Sequence, residues 1–341
     1  MKLGNFARRE TLLFSAGAIA HPLLSGCVSL PQPVRRMGGA NLVETLEAPF
    51  GSASAAESLR KLAAIGASLV AIIPFLWQSG STSPDISLGD ALPYDRLRAG
   101  IRQAREVGLR VIVKPHVWVP QSWAGKVEMQ TEADWASWFA NYRREMTTLA
   151  SIAESEGAAD LIVGTELRGT SHRTEWRTII DDVRTRFSGR LSYTAHGIQE
   201  AERIAFWPQL DAVGLSLYPV LGADDDTAGR HDVMRRNLER GRAIAKAHGR
   251  AYWILEIGLR SAVGAAAMPW ESAEERVADA NEALQASVIA MWLDEIERTG
   301  ADMVLIWRWL TDSTAGGTND TDFTVQNKLA EDVIRRRWLR N

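Results

Sequence analysis

The chain has 341 residues, of which 46% are hydrophobic and 24% charged, and its formal net charge is −3. This is an ordinary globular composition, and the lack of a basic excess argues against a nucleic-acid-binding surface. The single cysteine, Cys27, excludes an intrachain disulfide. The length fits two small domains or one large α/β barrel, so the order of predicted elements has to decide between them.

The N-terminus has the features of an export signal. Arg8 and Arg9 precede a short apolar stretch over 11–20, and Cys27 ends the sequence Leu-Ser-Gly-Cys. The apolar stretch is too short for an ordinary spanning helix, which is typical of a secretory signal. The arginine pair resembles a twin-arginine signal, and 24–27 resembles the lipobox of bacterial lipoproteins, whose cysteine is acylated. We therefore predict that 1–27 is a signal peptide and that Cys27 anchors an exported protein in the cell envelope, at the outer membrane or in the periplasm; the alternative is an N-terminal helix with a chance cysteine.

The remainder of the chain alternates between strand-like and helix-like segments. Residues 28–37, with two prolines, are predicted to be a linker, and 38–341 a single domain, because no later shift in composition occurs. The predicted strands are 38–42, 68–75, 110–116, a run from 160 that ends at Glu166, 190–196, 212–218, a run from 251 that ends at Glu256, and 302–309. The predicted helices are 55–65, 94–107, 132–154, 173–187, 200–206, 231–248, 272–299 and 329–338.

Eight strands, each followed by a helix, predict an α/β fold that is a single (β/α)8 TIM barrel. A doubly wound open sheet uses the same alternation. However, the sequence has no glycine-rich dinucleotide-binding turn after the first strand and no P-loop, so a nucleotide cofactor has no support. We predict no cofactor and no catalytic metal, because no close pair of metal ligands is present.

Polar and aromatic residues occur at the C-terminal ends of the predicted strands, which meet at one face of a barrel. In chain order they are Asn41, Trp77, His116, Glu166, His196, Tyr218, Glu256, and Trp307 or Trp309. The two glutamates end the fourth and seventh strands, which lie on opposing parts of the ring. Such a facing pair suits cleavage of a glycosidic bond, where one acid protonates the leaving oxygen and the other attacks the anomeric carbon or activates water.

The segments around these glutamates resemble glycoside hydrolase family 113, the β-1,4-mannanases within the clan of retaining β-glycosidases with (β/α)8 folds. The resemblance covers nearly all of the mature chain. It rests on Gly164-Thr165-Glu166, on 253–261 with Pro269-Trp270 behind it, on Lys114-Pro115-His116, and on 322–328.

This resemblance implies that Glu166 is the acid/base and Glu256 the nucleophile. Tyr218 resembles the tyrosine that orients the nucleophile, and Trp307 the tryptophan that floors the subsite of the attacked sugar. Trp309 is two residues further along the same strand and would point the same way. Both tryptophans therefore remain candidates.

One position departs from the pattern of the clan. Thr165 stands where many members have an asparagine that binds the sugar 2-hydroxyl, so that contact is in doubt. His116, His196 and Trp270 are predicted to bind substrate, although a structural role is open for each of them.

The chemistry sets two further expectations. A general acid must be protonated, so we predict a raised pKa for Glu166, partly caused by the negative Glu256 nearby. The retaining mechanism predicts a separation of about 5 to 5.5 Å between the two carboxyl groups.

The leading hypothesis is therefore a monomeric, lipid-anchored glycoside hydrolase whose partner is a carbohydrate substrate, most simply β-1,4-mannan. One alternative is a barrel that binds an envelope glycan without cleaving it. Another is a hydrolase or transglycosylase that acts on a different β-glycan, because the loops over 78–92 and 120–129 determine the choice of substrate. The two glutamates could also be buried ion-pair partners of Arg260.

Overall fold

The computed structural model describes residues 37–88 and 93–340; the predicted signal peptide with Cys27, and the linker up to residue 36, lie outside them. The strands are β1 (Met37–Val43), β2 (Leu69–Ile72), β3 (Phe75–Gln78), β4 (Ile86–Leu88), β5 (Arg110–Val113), β6 (His116–Trp118), β7 (Asp160–Thr165), β8 (Arg190–His196), β9 (Ala212–Ser216), β10 (Ala251–Ile257) and β11 (Met303–Leu310). The helices are α1 (Ala53–Ala64), α2 (Tyr94–Glu106), α3 (Glu132–Ser155), α4 (Trp176–Arg184), α5 (Gly197–Ala201), α6 (Ala228–His248), α7 (Glu282–Thr299) and α8 (Leu329–Trp338).

Eight of these strands close into a parallel barrel in the order β1, β2, β5, β7, β8, β9, β10 and β11. The order around the ring is the order along the chain, which confirms the predicted (β/α)8 barrel. Glu166 directly follows the fourth barrel strand, β7, and Glu256 lies near the end of the seventh, β10. The strand count that placed the two glutamates on opposing parts of the ring is therefore correct.

The remaining three strands form a small separate sheet in the order β4, β3, β6. The predicted strands 68–75 and 110–116 are each divided in two: a barrel strand ends before a proline, and a strand of the small sheet begins after it. Pro74 and Pro115 occupy these breaks, and a proline has no N–H to donate to a neighbouring strand. Trp77 consequently lies on the small sheet and not at the end of a barrel strand.

Two apolar layers stabilise the barrel. The interior layer includes Leu69, Ile112, Ile162, Trp253 and Leu305. The layer between the barrel and its helices includes the buried tryptophans Trp138, Trp176, Trp207, Trp292 and Trp309. Successive residues of a strand point alternately to these two layers, which is why the barrel strands are apolar throughout.

The helix predicted over 272–299 begins only at Glu282. The buried guanidinium of Arg260 donates to the carbonyls of Ser272 (2.9 Å) and Arg276 (2.8 Å), so these carbonyls are bound in a loop. The side chain of Asn281 then caps the helix by accepting from an amide of its first turn. No helix within 37–88 and 93–340 is long and apolar enough to cross a membrane.

Candidate active site

Glu256 is almost fully buried at the mouth of the barrel, where the C-terminal ends of the barrel strands meet, and both of its carboxylate oxygens have donors. The Tyr218 hydroxyl donates to Oε1 over 3.0 Å, and the Lys114 ammonium donates to Oε2 over 2.5 Å. These two donors, which follow the barrel strands β5 and β9, fix the orientation of the carboxylate. The predicted contact between Tyr218 and Glu256 is present.

Lys114 is fully buried and connects Glu256 to the first barrel strand. Its Nζ also donates to Oδ1 of Asn41 over 3.0 Å. The Asn41 amide in turn donates to the carbonyls of Leu255 (3.2 Å) and Ile306 (3.3 Å). Asn41 therefore positions Lys114 instead of pointing freely into the mouth.

The pKa of Glu256 reflects its burial. Removal from water raises this pKa above the ordinary carboxyl value, and the neighbouring Glu166 adds to the rise. The positive charge of Lys114 and the hydrogen bonds from Lys114 and Tyr218 act in the opposite direction. Lys114 is thus the main group that favours the ionised form of this carboxylate.

Glu166 lies at the junction between β7 and the following loop. Its φ angle is +55°, in the left-handed region that few residues other than glycine adopt. Such conformations cluster at functional sites because the surrounding structure has to enforce them. Its Oε1 lies 3.0 Å from Nδ1 of His196, at the end of the neighbouring strand β8.

The predicted raised pKa of Glu166 is wrong for the free protein. Burial alone would raise it, but the hydrogen bond and the charge of His196 outweigh burial and lower the pKa to about 2. The Ser216 hydroxyl also lies beside Glu166 and lowers the pKa, although it forms no hydrogen bond of ordinary length within the described part of the chain. Burial lowers the pKa of His196, but its pairing with Glu166 prevails and raises it overall. The two side chains therefore form an ion pair that holds one proton.

His116 and Trp307 form a stacked pair at the mouth, with ring centroids 5.3 Å apart and ring planes 18° apart. His116 Nε2 lies 3.8 Å from the Glu256 carboxylate. Burial and the nearby Lys114 hold the pKa of His116 well below its usual range, so the ring is neutral. Both residues reach the site, as predicted.

Trp309 does not reach the site. Ala40 pairs with Ile306 but Leu42 pairs with Trp309, so two steps along β1 match three along β11. This bulge reverses the alternation of side chains beyond Trp307. The Trp309 ring is consequently buried outside the barrel, where its indole N–H donates to Ser58 of α1 over 2.8 Å. Only Trp307 remains a candidate for the floor of the sugar subsite.

The remaining predicted substrate-binding residues differ in their exposure to solvent. Thr165 is buried, and its hydroxyl has no hydrogen-bond partner among the residues that the structure describes. Trp77 is 41% exposed on β3. Trp270 is 53% exposed on the loop between β10 and α7, and its role in binding stays a prediction.

Two residues were not predicted as parts of the site. Lys114 was noted only within a family motif, although a lysine at the end of an apolar strand is itself a signal, because buried lysines are nearly always paired. Trp123 packs against His196 with ring centroids 4.7 Å apart, and Arg168 lies 5.5 Å from the Trp123 ring. The position of Trp123 in a loop after a strand left a stacking role and a packing role equally open, and its contact with His196 was not predicted. In the two described ranges, no group of three His, Cys, Asp or Glu side chains is arranged to hold a metal ion.

A (β/α)8 barrel with two glutamates at the ends of its fourth and seventh strands is the arrangement expected of a glycoside hydrolase. Residues 43–328 match the model of Glycoside Hydrolase Family 113, and the chain belongs to this family. No curated protein sequence matches the chain significantly.

Solved structures share the fold. One GH113 β-1,4-mannanase, in a complex, has 24% sequence identity and a TM-score of 0.80, with 90% of this chain and 100% of that chain covered. The GH113 β-mannanase AaManA from Alicyclobacillus acidocaldarius, bound to ManMIm, has 23% identity and a TM-score of 0.75 over 90% and 97% of the two chains. A β-glucuronidase from Ruminococcus gnavus has 12% identity and a TM-score of 0.61 over 89% of this chain and 49% of its own.

Proposed function

We propose that the protein hydrolyses β-linked mannan or manno-oligosaccharides with retention of configuration, with Glu256 as nucleophile and Glu166 as acid/base. The observation that carries this proposal is the unequal setting of the two glutamates. Tyr218 and Lys114 fix both oxygens of Glu256, whereas Glu166 is paired with a single proton carrier, His196. The family and the mannanases among the similar structures support the choice of mannan.

In the first step, an oxygen of Glu256 attacks the anomeric carbon while the bond from that carbon to the leaving oxygen breaks. Lys114 and Tyr218 favour the ionised form of this carboxylate and hold it in position. The neutral ring of His116 and the indole of Trp307 form a wall beside Glu256, against which the attacked sugar rests. The leaving oxygen receives a proton from Glu166.

The source of this proton is the pair of Glu166 and His196. In the free protein the proton resides on His196, because the pKa of Glu166 is lowered and that of His196 is raised. Transfer along the 3.0 Å contact between Nδ1 and Oε1 produces a neutral Glu166 and a neutral His196. The pair can therefore supply a proton near neutral pH, which a carboxylic acid with its ordinary pKa could not.

In the second step, water attacks the anomeric carbon of the glycosyl-enzyme. Glu166, now ionised, accepts a proton from this water, and Glu256 leaves as a carboxylate. This proton is then shared again between Glu166 and His196, which restores the starting state of the site. Loss of the negative charge on Glu256 in the intermediate removes its repulsion of Glu166 during this step.

Product analysis tests the proposal. The domain over 38–341 is incubated with mannan, glucan, xylan and galactan oligosaccharides, and NMR records the anomer that is released first. We expect β-mannosidic cleavage with the β-anomer as first product, and a loss of turnover by orders of magnitude in Glu256→Gln. Release of the α-anomer would contradict retention. Equal binding by the wild type and Glu256→Gln without turnover of any β-glycan would instead indicate a binding protein.

The location is also part of the proposal. The arginine pair and the lipobox at Cys27 support export and attachment to the cell envelope by a lipid. An enzyme placed there would meet glycan chains outside the cytoplasm.

A further inference from the structure

Glu200 is a third carboxylate close to the mouth of the barrel, and it is fully buried. It lies on α5, the short helix that directly follows β8. Its Oε2 accepts from the backbone N–H of His196 over 2.6 Å, and its Oε1 accepts from the Tyr193 hydroxyl over 2.7 Å. The carboxylate therefore binds two residues of β8, and one of them is the proposed proton carrier.

A tight turn after β8 makes these contacts possible. Gly197, the residue after His196, has a φ angle of +69°, in the left-handed region that favours glycine. Glu200 follows His196 by four residues and reaches the amide at the end of the strand. A buried backbone N–H needs an acceptor, and a carboxylate forms a strong, charge-assisted hydrogen bond with it. The backbone of His196 is thus fixed by a side chain of the next helix.

Tyr193 connects Glu200 to the closely packed layer between the barrel and its helices. Its ring is fully buried, and its centroid lies 5.4 Å from those of Trp176 and Phe206. Side chains packed in this way move little. Glu200 is held by the Tyr193 hydroxyl on one oxygen and holds His196 with the other, so the position of His196 depends on this layer through Glu200.

The ring of His196 faces the acid/base. Its Nδ1 lies 3.0 Å from Oε1 of Glu166, and its centroid lies 4.7 Å from that of Trp123. Glu200 contacts the backbone N–H of the same residue, and Nδ1 faces Glu166. Glu200 therefore acts through His196 and does not itself exchange the proton that reaches the leaving oxygen.

The contacts of Glu200 suit an ionised carboxylate. Both of its oxygens accept hydrogen bonds, so neither has to act as a donor. Burial raises the pKa of Glu200, and the charge of Glu166 adds to the rise. The His196 amide and the hydroxyls of Tyr193 and Ser171 oppose this rise of the pKa. These three donors favour a negative charge behind His196.

Three charged groups face His196. They are Glu166 beside the ring, Arg168 in the loop after β7, and Glu200 on α5. Burial and Arg168 lower the pKa of His196. The hydrogen bond and charge of Glu166, together with the charge of Glu200, outweigh them and raise this pKa overall. Loss of the charge on Glu200 should therefore release the proton of His196 at lower pH.

We infer that Glu200 is a positioning residue for the proton transfer: it fixes His196 against Glu166, and its negative charge helps to keep the shared proton on this pair. The inference rests on the proposed function, in which the pair protonates the leaving oxygen. It adds a buried third carboxylate that acts on the histidine without touching the sugar.

An NMR titration of the six histidines tests the charge without any substrate. Glu200→Gln keeps the size of the side chain and removes its charge. We expect the His196 signal, assigned by its loss in His196→Asn, to titrate at lower pH in this variant than in the wild type. His231 and His248 on α6 are internal controls and should titrate as before. An unchanged titration of His196 in folded Glu200→Gln would overturn the inference.

Kinetics test the positioning. In Glu200→Gln the basic limb of kcat/KM for manno-oligosaccharides should move to lower pH. Glu200→Asp retains the charge but is one methylene too short to hold both donors. Its limb should stay in place, and its kcat/KM should fall by up to about 100-fold, the cost of a misplacement of about 1 Å. A dinitrophenyl glycoside of a manno-oligosaccharide, whose leaving group needs no proton, should be insensitive to either change in its first step.

An equal loss on both substrates without a shift of the limb would indicate a structural role and overturn the inference. If Glu200→Gln does not fold, Glu200→Asp decides, and an unchanged ratio of kcat/KM between the two substrates rejects the positioning role. A wild type that cleaves no β-glycan would instead overturn the proposed function. The titration of His196 would then still decide whether Glu200 helps to hold its proton.

Discussion

Lys114 donates to Glu256 over 2.5 Å inside the barrel, and both side chains are almost completely shielded from water. A buried ammonium and a buried carboxylate each carry a large desolvation cost, which only their mutual attraction and further hydrogen bonds offset. Asn41 and Tyr218 supply those further bonds. The pair therefore links the stability of the barrel to the ionisation of the proposed nucleophile.

Replacement of this lysine should affect stability and catalysis together. In Lys114→Met the free energy of unfolding should fall by about 3 to 5 kcal/mol, because an unpaired buried carboxylate remains. The loss should be largely restored in Lys114→Met/Glu256→Gln, which removes both charges. Chemical denaturation of the wild type, Lys114→Met, Glu256→Gln and the double variant gives the coupling free energy between the two side chains. Additive effects of the two single changes would contradict the ion pair.

The same variant tests the catalytic role. Without the ammonium, burial raises the pKa of Glu256 further, so a smaller fraction is ionised. We expect kcat of folded Lys114→Met to fall by about 100-fold or more, the range seen when a charge-stabilising donor is lost. The acidic limb of its pH profile should move to higher pH, whereas Lys114→Arg, which retains the charge, should keep the limb near its original position. An unchanged acidic limb in Lys114→Met would reject this role.

The pair of Glu166 and His196 predicts a specific pH dependence. Burial lowers the pKa of His196, but the hydrogen bond and charge of Glu166, with a contribution from Glu200, raise it overall against the opposing Arg168. His196 therefore keeps its proton at pH values below this raised pKa and loses it as the pH rises through the pKa. The basic limb of kcat/KM should therefore lie above the ordinary value for histidine.

In His196→Asn the proton must reside on Glu166 alone, so the basic limb of kcat/KM should move to lower pH. A dinitrophenyl glycoside, whose leaving group needs no proton, serves as the control and should be insensitive to the substitution in its first step. If His196 has only a structural role, both substrates should slow equally and the limb should not move.

The positions of the two glutamates were predictable, and the family resemblance predicted the contact of Tyr218 with Glu256, but the pairing of Lys114 with Glu256 and of His196 with Glu166 was not predicted. Each glutamate ends a run of apolar residues, and counting such runs is sufficient to place them in a ring. The partners of the glutamates come from other strands, so no local pattern reveals that His196 would lower the pKa of Glu166 below its ordinary value. The small sheet was not predicted, because the strands over 68–75 and 110–116 were expected to continue through Pro74 and Pro115. The two prolines are a local signal for the breaks, whereas the pairing of β3 with β6 depends on tertiary packing.

The direction of the Trp309 side chain could not be predicted from the sequence for a different reason. The rule that residues two apart in a strand point the same way failed for Trp307 and Trp309 of β11. A single extra residue opposite β1 is sufficient to reverse it, and bulges of this kind have no reliable sequence signal.

The predicted lipid anchor can be tested on the full-length chain. With Cys27→Ser, the protein should move from the membrane fraction to the soluble fraction of the cell envelope, because the acylated residue is lost. The specific activity of the released protein should be unchanged, since the substitution is remote from the barrel in sequence. Mass spectrometry of the mature N-terminus provides an independent measurement. An unchanged membrane fraction would contradict anchoring through Cys27.

Trp307 and Trp309 provide a matched pair of variants in the same strand. The Trp307 ring stacks on His116 at the mouth, so Trp307→Phe should lower kcat/KM by about tenfold with little change in stability, because stacking area against the sugar is lost. Trp309→Phe should instead lower stability and leave activity unchanged. It removes a buried indole N–H bonded to Ser58, at a cost of about 1 to 3 kcal/mol in the free energy of unfolding, and should leave kcat/KM of the folded enzyme unchanged. Denaturation curves and kinetics measured on both variants separate the two roles. An activity loss confined to Trp309→Phe would contradict a bulge that turns the Trp309 ring away from the site.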